Sequence, residues 1–127
     1  MYKTPEPIAD VKLAFPRRER LKGRDEIREV FNGKRVVSVP CAKLFILKNG
    51  LDYNRIAFTF SKKFGNAVER NRARRLGREA YRHLRQELKP GYDLVLLVYP
   101  GNESLSFRMN QLRELLSRAG LFNRIVK

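Results

Sequence analysis

A chain of 127 residues and 14.9 kDa amounts to one domain, too short to hold a catalytic domain and a separate binding domain. It has 28 Lys and Arg against 13 Asp and Glu, for a formal charge of +15, and its 43% hydrophobic residues supply one packed core, which excludes a disordered basic tail. No run reaches the ~20 apolar residues of a membrane helix, residues 1–7 lack a signal-peptide core, and the single Cys41 and single His83 exclude an intramolecular disulfide and an ordinary Cys/His zinc site. A cytoplasmic domain is expected. So large a positive charge costs self-repulsion and points to a polyanionic partner. Nucleic acid is favoured over an anionic membrane surface, because the apolar residues are spread over several core-forming segments rather than gathered on one basic amphipathic helix.

Residues 1–15 are expected to form an extended arm: Pro5 and Pro7 lie within it and Pro16 follows it, while Ile8, Val11, Leu13 and Phe15 give it an apolar side. Residues 16–120 are expected to form the domain, with 121–127 as a tail. A first helix begins near Gly23-Arg24-Asp25, with Asp25 or a neighbour as N-cap, presents Ile27, Val30 and Phe31, and ends at Asn32-Gly33. Strands follow at 36–39, closed by Pro40, at 42–47, and at 56–61, the last two separated by a Lys48-Asn49-Gly50 turn at hairpin distance. Alternation in the third strand places Ile56, Phe58 and Phe60 on one face. Arg55, Ala57, Thr59 and Ser61 share the other, a small polar surface suited to solvent or to the floor of a ligand site.

The longest helix spans 66–88, with Ala73, Leu76, Ala80, Leu84 and Leu88 as its apolar stripe and Pro90-Gly91 beyond it. Residues 93–99 are apolar on both sides, the pattern of an interior strand. A last helix covers 105–119, with Leu105, Met109, Leu112, Leu116 and Ala119 in register and Gly120 as its cap. The order α-β-β-β-α-β-α is that of a single α+β domain with helices packed on a small sheet.

Charge is concentrated in one segment. Between Lys62 and Arg85 stand two lysines and seven arginines against Glu69 and Glu79. At 100° per residue, Arg70, Arg74, Arg78 and Arg85 share one broad side, with Asn71, Arg75 and Arg82 beside them. Guanidinium groups bind phosphate bidentately and stack on bases, and Asn71 adds a group that reads a base edge or a 2′-hydroxyl. A solvated charged face would mix the two signs more evenly. Gly65-Asn66 also offers backbone N–H groups to a phosphate, a weak signal, since such a turn needs no ligand.

The run Lys62-Lys63-Phe64-Gly65-Asn66-Ala67-Val68-x-Arg70-Asn71-Arg72-x-Arg74-Arg75-x-x-Arg78-Glu79 closely resembles the signature of the bacterial ribonuclease P protein subunit. Arg17-Arg18-x-Arg20-Leu21 and Phe31 resemble the same family, and the likeness extends over about residues 15–120. It implies an α-β sandwich with a four-stranded sheet and a left-handed β-α-β crossover around the arginine helix. It also implies that a catalytic RNA subunit, with magnesium, removes the 5′ leader of precursor tRNA while the protein grips both RNAs. By that resemblance Lys62, Arg70, Asn71, Arg72, Arg74, Arg75, Arg78 and Arg82 face the RNA subunit. Phe31, Phe45, Thr59, Ser61 and Lys63, with Arg17, Arg18 and Arg20, serve the leader. Aromatic platforms suit that task, because they stack bases without demanding a sequence, although Phe31 and Phe45 also suit core packing. The chain departs from the family at Ile27, where an aromatic is common.

Nothing in the sequence assembles a nuclease centre. His83 stands among basic residues, Asp10, Asp25, Asp52 and Asp93 are isolated from one another, and Cys41 has the default reading of a buried thiol. No catalytic side chain, protein-bound metal or small-molecule cofactor is expected. A ribosomal protein or general RNA chaperone is the alternative, ahead of a DNA-binding protein, whose recognition helix would be shorter and of mixed polarity.

Overall fold

The structure, a computed structural model, describes residues 15–101 and 103–123; the expected arm up to residue 14 lies outside these bounds. The element order matches expectation: α1 (Arg24–Asn32), β1 (Val36–Val39), β2 (Ala42–Lys48), β3 (Arg55–Phe60), α2 (Ala67–Leu84), β4 (Tyr92–Val98) and α3 (Leu105–Arg118). Short 3₁₀ turns precede α1, at Arg17–Glu19, and follow α2, at Arg85–Glu87. The second of these ends the α-helix a turn earlier than its stripe suggested. The N-cap of α1 is Gly23, not Asp25, which instead sits in the first turn where a carboxylate favours the helix dipole.

The sheet runs β1-β2-β4-β3. β1 and β2 form a hairpin, β2 pairs antiparallel with β4, and β3 pairs with β4 in parallel. The hairpin expected of β2 and β3 is therefore not formed. β4 is buried on both faces at Asp93, Leu94, Val95 and Leu96, so it takes the interior position and separates them. The β3-α2-β4 unit crosses over with the left hand, the rare one for parallel strands. Cys41 lies in the tight β1–β2 turn at φ 70° and is half-buried rather than enclosed.

α1 covers one sheet face, while α2 and α3 cover the other. The larger core joins Leu44, Ile46, Ile56, Phe58, Leu94 and Leu96 of the sheet to Ala80, Tyr81 and Leu84 of α2 and Leu112, Leu115 and Leu116 of α3. The smaller core gathers Val30, Ile27 and Phe31 of α1 over Phe45, Leu47, Ala57 and Val95. Phe15, placed in the arm by sequence, packs edge-on against Tyr81 at 5.3 Å, and Leu121, placed in the tail, is fully buried. The packed body is thus wider than 16–120.

Among the described residues, three buried charges are held in pairs, as burial requires. Glu19 of the first 3₁₀ turn accepts from Arg85 Nε at 2.8 Å and Nη2 at 2.5 Å. Asp93 accepts from Arg55 at 2.8 and 2.7 Å across the parallel pair. Arg108, wholly buried in α3, donates to both Glu103 oxygens at 3.0 Å and to Gln111, whose amide reaches the Pro40 carbonyl.

α2 lies so close to the sheet that a Cβ on Gly77 would stand 2.7 Å from the Phe58 ring. Gly77→Ala should therefore destabilise the fold by about 1–3 kcal/mol through overpacking, although alanine improves helix propensity by about 1 kcal/mol. Urea unfolding measures the balance; a more stable variant would show that the helix moves away from Phe58 without cost.

Candidate nucleic-acid interface

The loop from β3 into α2 fixes where the arginine helix begins. Asn66 caps it: its side chain accepts from Glu69 N at 2.9 Å, and the Glu69 carboxylate accepts from Asn66 N at 2.9 Å. This reciprocal box requires Gly65, at φ 150°, because a Cβ there would meet Glu69 Oε1 at 2.2 Å. The Asn66 N–H considered as a phosphate donor is thus already engaged.

The guanidinium groups of α2 divide into two sets. Arg70 closes the loop, with Nε donating to Gly65 O at 3.0 Å and Nη2 to Ser61 O and Lys62 O, each at 3.2 Å. Arg74 lies 5.2 Å from the centre of the Phe60 ring and donates to Asn71 Oδ1 at 3.0 Å. Arg82 donates to Glu79 at 3.0 Å, which with His83 holds that carboxyl below its ordinary pKa. Arg85 does not join the exposed side: it is half-buried and paired with Glu19. Arg72, Arg75 and Arg78 are exposed, and their side chains have no ion-pair or hydrogen-bond partner among the described residues; the same holds for the side chains of Lys62 and Lys63.

The N-terminal arginines scatter. Arg17 is exposed, Arg18 stacks 4.3 Å over the Tyr53 ring, and Arg20 lies 5.1 Å from the Phe15 ring centre. Arg20 turns toward α2, where it enters one groove with Lys22, Arg74 and Arg78, floored by Leu21, Ile27 and Ala57. Desolvation, followed by the charges of Arg20 and Arg74, holds the Arg78 pKa below its ordinary value. Arg18 instead lines a separate depression with Asp52, Tyr53 and Pro90.

On the α1 side of the sheet, register aligns Ser38, Lys43, Leu97 and Thr59 in one row and Val36, Phe45, Val95 and Ala57 in the next. Phe31 meets Phe45 edge-to-face at 4.7 Å and 73°, so each half-buried ring completes the smaller core and keeps part of its surface open. Ile27 and Ala57 belong both to that core and to the arginine-lined groove, which makes the two surfaces continuous. Thr59 Oγ1 is bonded to Leu96 O at 3.1 Å, whereas Ser61 Oγ is buried without a partner. The Lys43 amine over the Tyr99 ring, 6.0 Å from its centre, borders the same face and was not singled out by sequence. Only the pairing of β2 with β4 brings these two residues together.

These placements assign different work to neighbouring arginines. Arg70→Ala should lower folding stability by about 1–3 kcal/mol, since it removes the side-chain bonds to three loop carbonyls, while Arg72→Ala and Arg75→Ala should stay within about 0.5 kcal/mol of the parent. Denaturant midpoints of the three variants check this; equal midpoints would remove Arg70 from the loop's support.

A family model described as Ribonuclease P matches residues 15–120. The ribonuclease P protein component of Clostridioides difficile is 37% identical over 97 residues, covering 76% of this chain and 85% of that protein. The Alkaliphilus oremlandii component is 31% identical, covering 84% and 96%. Among solved structures, the RNase P protein of Thermotoga maritima superposes with a TM-score of 0.69 at 27% identity over 79% of this chain and 96% of the other. The Staphylococcus aureus protein shares the fold at a TM-score of 0.74, with 23% identity over 83% and 98%. With the family matched across both cores and the arginine helix, the chain belongs to the ribonuclease P protein component family, the protein subunit of the tRNA 5′-processing enzyme.

Proposed function

We propose that this subunit works by gripping RNA: it binds the catalytic RNA subunit through α2 and the 5′ leader of precursor tRNA through the cleft between α1 and the sheet. The observation that carries this is the set of unpartnered cations on one helix, Arg72, Arg75 and Arg78, beside an open sheet face bordered by Phe31, Phe45 and Lys43. The first surface suits phosphates; the second suits unstacked bases. Among the described residues no helix is long and apolar enough to cross a membrane, and we place the subunit in the cytoplasm with its RNA.

The cleavage chemistry is assigned to the RNA subunit and its magnesium ions. The carboxylates nearest the interface do not fit a metal site of the protein's own, because they are already engaged: Glu19 with Arg85, Asp93 with Arg55, Glu79 with Arg82 and His83, and Glu69 with the Asn66 N–H. What the chain supplies is screening of RNA–RNA repulsion and a hold on the leader.

Two measurements test this reading. The chain alone should leave precursor tRNA intact with or without magnesium. Added to a bacterial RNA subunit at physiological salt it should raise 5′ cleavage, and high salt with high magnesium should partly replace it. Cleavage by RNA-free protein would overturn the assignment. In binding titrations, Arg72→Ala with Arg75→Ala should reduce the slope of log K against log salt by about 0.7–0.9 for each phosphate that the variant no longer neutralises.

Phe31→Ala and Phe45→Ala should weaken holoenzyme binding of leader-bearing precursor tRNA by about 1–3 kcal/mol for each base stack removed, with affinity for the RNA subunit unchanged. Folded variants that still discriminate precursor from mature tRNA as the parent does would remove the leader from this cleft.

A further inference from the structure

Arg20 sits 50 or more residues before Arg74 and Arg78 in the chain, yet all three open into one groove of 280 Å³ together with Lys22. The groove holds four cations, and among the described residues no carboxylate lines it. Four arginines elsewhere on this chain are matched by acids: Arg85 by Glu19, Arg55 by Asp93, Arg108 by Glu103, and Arg118 by Glu114. Here the contacts of these arginines among the described residues involve no carboxylate: Arg20 Nη2 to the Phe15 carbonyl at 3.5 Å with its guanidinium 5.1 Å from the Phe15 ring centre, and Arg74 to Asn71 and the Phe60 ring. Arg20 Nε is buried without an acceptor. The Arg78 side chain has no partner at all among the described residues.

Like charges held together without a counterion raise the energy of the free protein, and an anion entering between them removes that energy while adding charge-assisted hydrogen bonds. The groove persists because its cations are fixed from outside it. The Glu19–Arg85 pair anchors the 3₁₀ turn beside Arg20 to the end of α2, and a backbone bond from Leu21 N to Ile56 O at 2.9 Å ties the next residue to β3.

Building on the RNA-gripping function above, we propose that Arg20, Arg74 and Arg78 form a single phosphodiester site that clamps one RNA phosphate between the N-terminal segment and the arginine helix. The groove's floor of Ile27 and Ala57 continues into the sheet cleft, so the bound phosphate lies at the junction of the two RNA surfaces. Its source is either the RNA subunit or the precursor leader, and the chemistry is the same for both. Glu19 and Arg85 are positioning residues for this site.

The test is a double-mutant cycle with Arg20→Gln, Arg78→Gln and the pair, in the full chain. Affinity is read in two arms: for the RNA subunit, and for precursor against mature tRNA by the assembled holoenzyme. Each single variant should lose about tenfold in affinity, and the double variant should lose little more than either, because both side chains hold the same phosphate. Coupling in the first arm assigns the phosphate to the RNA subunit; coupling in the second alone assigns it to the leader. Arg78→Gln should also raise the thermal midpoint of the RNA-free chain by about 2–4 °C at low salt, a gain that a structural role would not produce. Losses that add, no loss in either arm, or a midpoint that stays level or falls would overturn the shared site. If the unsubstituted chain failed to bind the RNA subunit, the RNA-gripping function would fall, and this site with it.

Discussion

β3 and β4 pair in parallel, and the one helix that joins them has to cross the sheet over Phe58. Parallel neighbours admit no tight turn, so the connection contains a whole helix, α2. The close approach of Gly77 to the Phe58 ring sets that helix near the edge strand. The basic side of α2 therefore runs along the border of the sheet, with Arg72, Arg75 and Arg78 exposed there, and the α1 face stays open beside it. The capping box at Asn66 and the Arg70 bonds to three loop carbonyls fix the start of the same helix, while Arg85 and Glu19 fix its end.

Within this frame, the role of each arginine depends on what burial leaves beside it. A guanidinium withdrawn from water needs acceptors, and the fold provides them for Arg55, Arg85 and Arg108 as bidentate carboxylates. Their pairing is part of the architecture. Removing one partner would leave the other charge buried, so these residues are poor candidates for RNA contact despite their charge. Arg72, Arg75 and Arg78 lie outside any such pairing among the described residues, and their repulsion is unrelieved in the free protein. That repulsion is borne by a helix whose other side is anchored in the larger core through Ala80, Tyr81 and Leu84.

The opposite sheet face follows a different logic. α1 is short, and it covers the row from Phe45 to Ala57 while leaving the row from Ser38 through Lys43 and Leu97 to Thr59 less enclosed. Phe31 and Phe45 stand at the boundary, each packed on the other and each half-exposed. Core packing and base stacking are thus compatible at these two residues: the ring edge buried in the protein fixes the orientation of the face that remains open.

The element order, the alternation of β3, the interior character of β4 and the concentration of arginine on α2 were all legible in the sequence, because each rests on local periodicity or composition within one segment. The family signature was legible for the same reason, being a single continuous run. Four features were not: the insertion of β4 between β2 and β3, the burial of Phe15 and Leu121, the removal of Arg70 and Arg85 from the exposed face, and the meeting of Arg20 with Arg74 and Arg78. Helical spacing places Arg70, Arg74, Arg78 and Arg85 on one side, but whether a given guanidinium meets a carbonyl, a carboxylate or water depends on which distant segment folds against it. Glu19 lies 66 residues from Arg85 in the chain, and no periodicity spans that interval. Local hydrophobic pattern therefore determined the elements and where their charge lies. Long-range packing alone decided which of those charges stay unpaired, since only burial and neighbouring acceptors separate an arginine committed to the architecture from one left open.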